Sequence, residues 1–192
     1  MADKRVQLLE TAEELFFKHG VRRVTVEEIC RKAEISKMTF YKYFTNKWDI
    51  AKTMLDNLFN EGTSAFLAGM EMDIPFPEKI EMMLIFTMER IRSIGAPFLE
   101  DLVNKKSPLH EYFMEKQKAA RELSVAFFNQ AKKEGHIRKD IKIPVLLYML
   151  ARLSDMINDP EFIEIMPNIE DRAYEVTALF FHGYTRQPDR EP

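Results

Sequence analysis

Residues 25–47 read TVEEICRKAEISKMTFYKYFTNK, and their pattern decides the fold. Thr25 followed three residues later by Glu28 is a capping box. The threonine oxygen takes a free backbone N–H at a helix start while the glutamate reaches back to the threonine amide. The helix that begins there is predicted to run to about Ala33. Ser36 caps a second short helix ending near Phe44, and Asn46 caps a long one from Lys47 toward Met70. Two short helices joined through Glu34-Ile35-Ser36 form a helix-turn-helix, whose second member fits the major groove of DNA. Val26, Ile29, Ala33, Ile35, Phe40 and Phe44 are expected inside, against the preceding helix. Lys37, Thr39, Tyr41, Lys42 and Tyr43 then point outward. Two lysines and two tyrosines on one short face suit phosphates and base edges, because lysine brings charge and tyrosine an O–H on a flat apolar body.

Outward from this stretch the chain reads as further helices. Val6, Leu9, Ala12, Leu15 and Phe16 share one helical face, and Lys18-His19-Gly20 gives a basic last turn with a glycine stop. After Pro75 and Pro77 the pattern resumes at Ile80, Met83 and Leu84 and runs up to Gly95-Ala96-Pro97. A short piece from Phe98 to Val103 precedes a long helix opened by Ser107-Pro108, with Phe113, Gln117, Ala120, Leu123 and Phe127 recurring along it. It closes on Lys132-Lys133-Glu134-Gly135. Residues from Pro144 to Ile157 are apolar on nearly every side, and a last helix from about Asn168 repeats Ala173, Val176, Phe180 and Tyr184. The expected fold is all-α with about nine helices. The expected domains are a DNA-binding head over residues 1–47, a ligand-binding and dimerisation body over 48–187, and a tail over 188–192.

The composition agrees with a globular protein: 46% of the 192 residues are hydrophobic and 31% charged, which excludes disordered and fibrous classes. The net charge of −3 argues against a nucleic-acid binder until its distribution is seen. Residues 1–52 hold 11 Lys and Arg against 8 Asp and Glu, a net of +3, while the remainder holds 17 against 23, a net of −6. A basic head on an acidic body is what a protein that meets phosphate through its head requires. No apolar run reaches the roughly 18 residues of a membrane span, so no membrane partner is expected. The amphipathic start and the single Cys30 lead us to expect a protein of the reducing cytoplasm. Cys30 itself reads as a core thiol.

The run Thr25-Val26, Ile29, Ala33, Ser36, Thr39-Phe40-Tyr41-Lys42-Tyr43-Phe44 and Lys47 resembles the TetR (tetracycline-repressor-like) family of bacterial transcription regulators. The resemblance is dense over roughly the first 50 residues. It also touches Glu134-Gly135-His136-Ile137-Arg138-Lys139-Asp140, which is similar to the family's link between its seventh and eighth helices. It implies that Lys37, Met38, Tyr41 and Lys42 reach bases or nearby phosphates. It also implies that Thr25, Tyr43 and Lys47 hold the DNA backbone, Lys47 aided by a helix N-terminus aimed at phosphate. Thr39 shares the outward face. Two departures stand out. The turn has Ala33-Glu34 where the family usually has Ala-Gly, so a slightly different turn backbone is expected. Met38 stands where the family commonly has glycine, and it either contacts a thymine methyl or changes the docking.

Twelve methionines and fifteen phenylalanines leave two readings of the body, an ordinary core or an adaptable apolar cavity. The resemblance implies a cavity among the fourth to eighth helices for a small apolar or amphipathic ligand. Met83, Phe86, Phe98, Phe113, Gln117, Phe127, Met149 and Arg152 are its candidate lining. Arg152 and Asp155 interrupt an otherwise apolar helix; they either pair across a dimer or, for Arg152, orient an anionic ligand. A helix apolar nearly all round needs two covers, and a second copy of the chain is the simplest second one. Leu146, Leu150, Leu153, Val176, Phe180, Phe181 and Tyr184 are the expected dimer seam. The sequence offers neither a metal-ligand spacing among its four histidines nor a catalytic constellation, so neither cofactor nor catalysis is expected. The expected partners are therefore a double-stranded DNA operator, a second copy, and a ligand that releases the DNA. The alternative is an effector-independent DNA-binding or protein-interaction module on the same fold.

Overall fold

Side-chain caps start the first four helices. Asp3 accepts from the Arg5 amide at 2.9 Å, Thr25 from Glu28 at 3.2 Å and Ser36 from Thr39 at 3.2 Å. Asn46 Oδ1 accepts from the amides of Trp48 and Asp49 at 2.8 and 3.1 Å. Each bond satisfies an amide that the first helical turn leaves without a partner. The structure, a computed structural model, describes residues 3–157, 159–168, 171–172, 174–176 and 179. The helices in chain order are α1 Lys4–His19, α2 Val26–Lys32, α3 Lys37–Tyr43, α4 Lys47–Glu71 and α5 Phe76–Ser93. They continue with α6 Ala96–Val103, α7 His110–Lys133, α8 Ile143–Ile157 and α9 Pro160–Ile165. Among the described residues there is no strand, and the fold is all-α. No described helix is long and apolar enough to cross a membrane.

Two local expectations are corrected. The seventh helix begins at His110, because Ser107 and Pro108 belong to a turn in which the Ser107 hydroxyl takes the Leu109 amide at 3.2 Å. The short α9 was not expected. Asp159 caps it by accepting from the amides of Glu161 and Phe162, and Pro160 supplies a helical φ at its first position. Residues 171–172, 174–176 and 179 are helical, capped by Asn168 Oδ1 accepting from the Asp171 amide at 3.4 Å. The expected seam residues Phe180, Phe181 and Tyr184, the tail, and the side chain of Asp155 lie outside the described residues.

The chain packs as two units. The first joins Met1–Thr63 to Ile91–Lys118. Its core gathers Leu8, Ala12 and Phe16 of α1, Ile29 of α2, Phe40 of α3, Ile50 and Met54 of α4, and Phe98 and Leu102 of α6, all nearly inaccessible to water. The packing therefore does not divide at residue 47, since the first turns of α4 share the core of the helix-turn-helix. Two glycines permit this closeness. Gly20 ends α1 at φ +78°, and a Cβ on Gly95 would fall 1.8 Å from the Phe17 carbonyl oxygen. The buried Asp101 of α6 accepts from the Arg22 amide at 3.1 Å and from Arg22 Nε at 2.5 Å.

The second unit joins Ser64–Arg90 to Ala119–Pro192. Phe76, Ile80, Phe128, Ala131, Ile137, Ile143 and Leu146 form one cluster, and Leu153 with Val176 forms a smaller one. Phe76 stacks on Phe127 at 5.9 Å and on His136 at 5.1 Å, and Phe127 meets Phe66 edge-on at 5.4 Å.

Candidate nucleic-acid interface

Helix α3 is anchored by two rings. Phe40 is wholly buried and Phe44 nearly so, their centroids 5.7 Å apart, and Arg5 lies 5.6 Å from the Phe44 ring. With those rings inside, the helical period turns Met38, Tyr41 and Tyr43 to solvent, at 73, 57 and 43% exposure. Lys37 and Lys42 are exposed beside them, and Thr39 is half-buried with its hydroxyl 2.9 Å from Ser36 Oγ. The inside-outside division read from the sequence therefore holds, with Val26 half-buried instead of buried.

The turn keeps a glycine-type conformation without a glycine. Glu34 has φ +54°, in the left-handed region. The side chain there changes while the backbone stays in the shape glycine favours, so the expected change of turn backbone is not seen. The strain is on the order of 1–2 kcal/mol. The neighbouring amides still find partners, Ala33 to the Ile29 carbonyl and Ile35 to the Cys30 carbonyl, both at 2.9 Å.

Besides Thr39, three of the expected contact residues already hold partners in their own chain. Lys37 Nζ bonds the Glu27 carboxylate of α2. That hydrogen bond holds the Glu27 carboxyl below its usual range and raises the Lys37 ammonium. The Thr25 hydroxyl donates to Glu28 Oε2 at 2.9 Å as part of the capping box. Lys47 Nζ donates to the carbonyls of Arg22 and Val24 at 2.8 and 3.0 Å, and partial burial lowers its pKa. An ammonium has three donors, so one remains to Lys47 for an outside anion. Lys47 thus ties down the loop after α1.

The other predicted residues disperse. Phe98, expected on a ligand wall, is a packing residue of the first unit, fully buried and 5.4 Å from the Phe17 ring. Phe113 is half-buried in the same unit and Gln117 is exposed. In the second unit Met83 and Phe127 pack beside the Phe76 cluster, whereas Phe86, Met149 and Arg152 are exposed. Arg152 lies over the Tyr148 ring at 5.7 Å.

The described members of the expected seam turn toward their own chain. Leu146 and Leu153 are buried within the chain and Leu150 packs beside them, while Val176 is 7% exposed. Leu146, Leu150 and Leu153, spaced by four and three, form the inward row of α8. The exposed apolar row is Val145, Tyr148, Met149 and Met156. Periodicity could not choose between the two rows, because both are apolar.

Sequence reasoning missed the acidic partners. Arg22 and Asp101 are 79 residues apart in the chain, and no local pattern links them. Nor did the sequence reading single out Glu27, although its place in the first turn of α2 was a usable signal.

The family profile described as "Bacterial regulatory proteins, tetR family" matches residues 8–54. The HTH-type transcriptional regulator TtgR of Pseudomonas putida is 36% identical over 56 residues, covering 29% of this chain and 27% of that protein. The match thus spans about a quarter of that relative's length. The HTH-type transcriptional repressor KstR2 of Mycobacterium tuberculosis is 24% identical over 153 residues, covering 78% of this chain and 76% of its own. Its solved structure, described as a ketosteroid transcriptional regulator, superposes with a TM-score of 0.62 at 19% identity over 97% of each chain. The fatty acid degradation regulator FadR of Bacillus halodurans superposes with a TM-score of 0.73 at 16% identity, over 94% of this chain and 96% of that one. The capped helix-turn-helix lies inside the residues that match the tetR-family profile, so the head of this chain is similar to that family of bacterial regulatory proteins, and the chain shares the all-α fold of these solved regulators.

Proposed function

We propose that the protein is a DNA-binding transcriptional regulator, a repressor that binds its operator as a symmetric pair and leaves it when a small molecule binds the body. The observation that carries this reading is the outward face of α3, where Lys37, Met38, Tyr41, Lys42 and Tyr43 stand exposed on two buried rings. In this reading Lys37, Met38, Thr39, Tyr41 and Lys42 meet base edges and nearby phosphates, while Thr25, Tyr43 and Lys47 hold the backbone. One such helix reads only a few base pairs. Useful specificity therefore needs two, about 34–36 Å apart on one face of the DNA.

The exposed apolar row of α8 supports pairing, because Val145, Tyr148, Met149 and Met156 leave an apolar stripe that a second copy would cover. For the effector we favour an apolar or amphipathic molecule. Methionines and rings are dense in the second unit, and the names of two structural relatives refer to ketosteroids and fatty acid degradation. Such a ligand releases DNA only to the extent that it prefers a body shape with the wrong spacing of the two heads.

The test is selection of an operator from a random duplex pool, followed by titration with and without a panel of sterols, fatty acids and their thioesters. Two copies bound per selected site, with affinity falling when one panel member is added, is the expected result. Failure to enrich any sequence would end the regulator reading. Enrichment with no response to any ligand would favour the effector-independent module.

A further inference from the structure

We infer that Glu27 is an affinity-setting residue, a carboxylate built into the DNA-facing surface that competes with DNA for Lys37 and so keeps binding to mixed-sequence DNA weak. The inference rests on the DNA-binding reading above. Lys37 opens α3 and Glu27 sits in the first turn of α2, and their side chains meet across the turn while both stay exposed. The acid therefore lies on the same open side as the residues expected to touch DNA.

The surrounding charges sharpen the point. Arg22 is held by Asp101, Lys32 by Glu14, and Lys47 by two carbonyls of the loop after α1. The head thus shows less free positive charge than its composition suggests, and the Lys37–Glu27 pair withdraws one more cation at the edge where bases are read. When DNA arrives, Lys37 must leave Glu27 for a phosphate or a base, and the bare carboxylate then faces a polyanion. That penalty is the same for every sequence, whereas base contacts exist only at the proper site. A uniform penalty lowers the affinity for every duplex by the same factor and leaves the specificity ratio unchanged; its effect is on occupancy, since it carries the weak non-specific complexes below the working concentration while base contacts keep the proper site bound.

Fluorescence anisotropy of the full chain on a mixed-sequence duplex, at several salt concentrations, tests this with a double-mutant cycle. Glu27→Gln should bind about three- to tenfold more tightly, with a salt slope steeper by about one phosphate contact. In a Lys37→Gln background the same substitution should gain less than about twofold, since no ammonium is released. An unchanged affinity for Glu27→Gln overturns the inference. So does an equal gain in both backgrounds, which would mark a general charge effect. Either of these results with salt-dependent wild-type binding leaves the DNA-binding reading intact. Absence of salt-dependent binding by the wild type takes down both.

Discussion

The two units bury their apolar side chains to different degrees. In the first, the large side chains that face inward are sealed: Phe16, Phe40, Phe98, Leu8, Ile50 and Leu109 are essentially free of water contact. In the second, the inward rows are closed less fully, and α8 sends Val145, Tyr148, Met149 and Met156 into solvent. An element that must present one fixed surface to DNA needs a rigid seat, and a sealed core provides it. A region that pairs with another copy and accommodates ligands keeps apolar surface in reserve. Under the function proposed above, the contrast divides the chain by task, and each of the following measurements breaks it or narrows it.

The largest effect falls on the sealed core. Phe40→Ala empties the seat of α3 and should cost about 3–5 kcal/mol in urea unfolding, with DNA binding lost alongside. Leu153→Ala, in the smaller cluster of the second unit, should cost less, about 2 kcal/mol, because Leu153 and Val176 are the only fully buried members described there. Equal costs would erase the distinction.

Next in size is the exposed row of α8. A Tyr148→Glu, Met149→Glu double substitution should weaken self-association by at least about tenfold, roughly 1.4 kcal/mol, in sedimentation equilibrium while helix content stays the same. Val6→Glu on α1, an exposed apolar position of the first unit at 45% exposure, should leave self-association unchanged. Dimers that survive the α8 change would mean that this row covers something other than a second copy.

A middle-sized effect concerns the polar tie inside the first unit. Asp101 is almost inaccessible, with a side chain 3% exposed, and it pairs with the Arg22 guanidinium. Arg22→Ala leaves a buried carboxylate that keeps its hydrogen bond from the residue-22 amide but loses the guanidinium, and should cost about 1–3 kcal/mol, the half-exposed guanidinium keeping the figure below that of a fully buried pair. Asp101→Asn should be milder, since an amide can still accept from Arg22 and carries no stranded charge. The reverse order would show that the tie is not electrostatic.

These contrasts also explain what a single sequence can and cannot disclose. The helix-turn-helix was legible because its signals are local: Thr25 with Glu28, Ser36 with Thr39, and Phe40 with Phe44 lie three or four residues apart. The inward choice for α8 was not, because both of its rows are apolar and only tertiary packing selects Leu146 and Leu153 over Val145 and Tyr148. The glycine-type conformation at Glu34 escaped notice because residue type alone argued against it. Arg22 with Asp101 and Lys37 with Glu27 are partners across space, and charge pairing over such separations leaves no trace in periodicity. The candidate site was therefore readable as a set of exposed residues, but not as a set of side chains already engaged with acids and carbonyls of their own chain.

The smallest effect is a pH dependence that tests whether ionic ties add to the closure of the first unit. Asp56 of α4 accepts from the Tyr112 hydroxyl at 2.7 Å and from Lys116 Nζ at 2.5 Å, both on α7. Burial pushes its carboxyl up, but the Lys116 and Tyr112 hydrogen bonds and the Lys116 charge together outweigh this and hold the pKa below its ordinary 3.8. A carboxylate depressed in the folded state stabilises the fold at pH values above its unfolded pKa, and that stabilisation is lost as pH falls through the folded value. Asp56→Asn should therefore cost most near neutral pH, and the gap to wild type should close below about pH 4. The side chain is 36% exposed and Lys116 is 32% exposed, so solvent screening limits the gap to about 0.5 kcal/mol. Urea midpoints measured from about pH 7 down to pH 3 give the curve. A gap that stays constant across this range would assign the contribution to the Tyr112 hydrogen bond, which an asparagine oxygen can also accept only in part, and would remove charge from the account of how the first unit holds together.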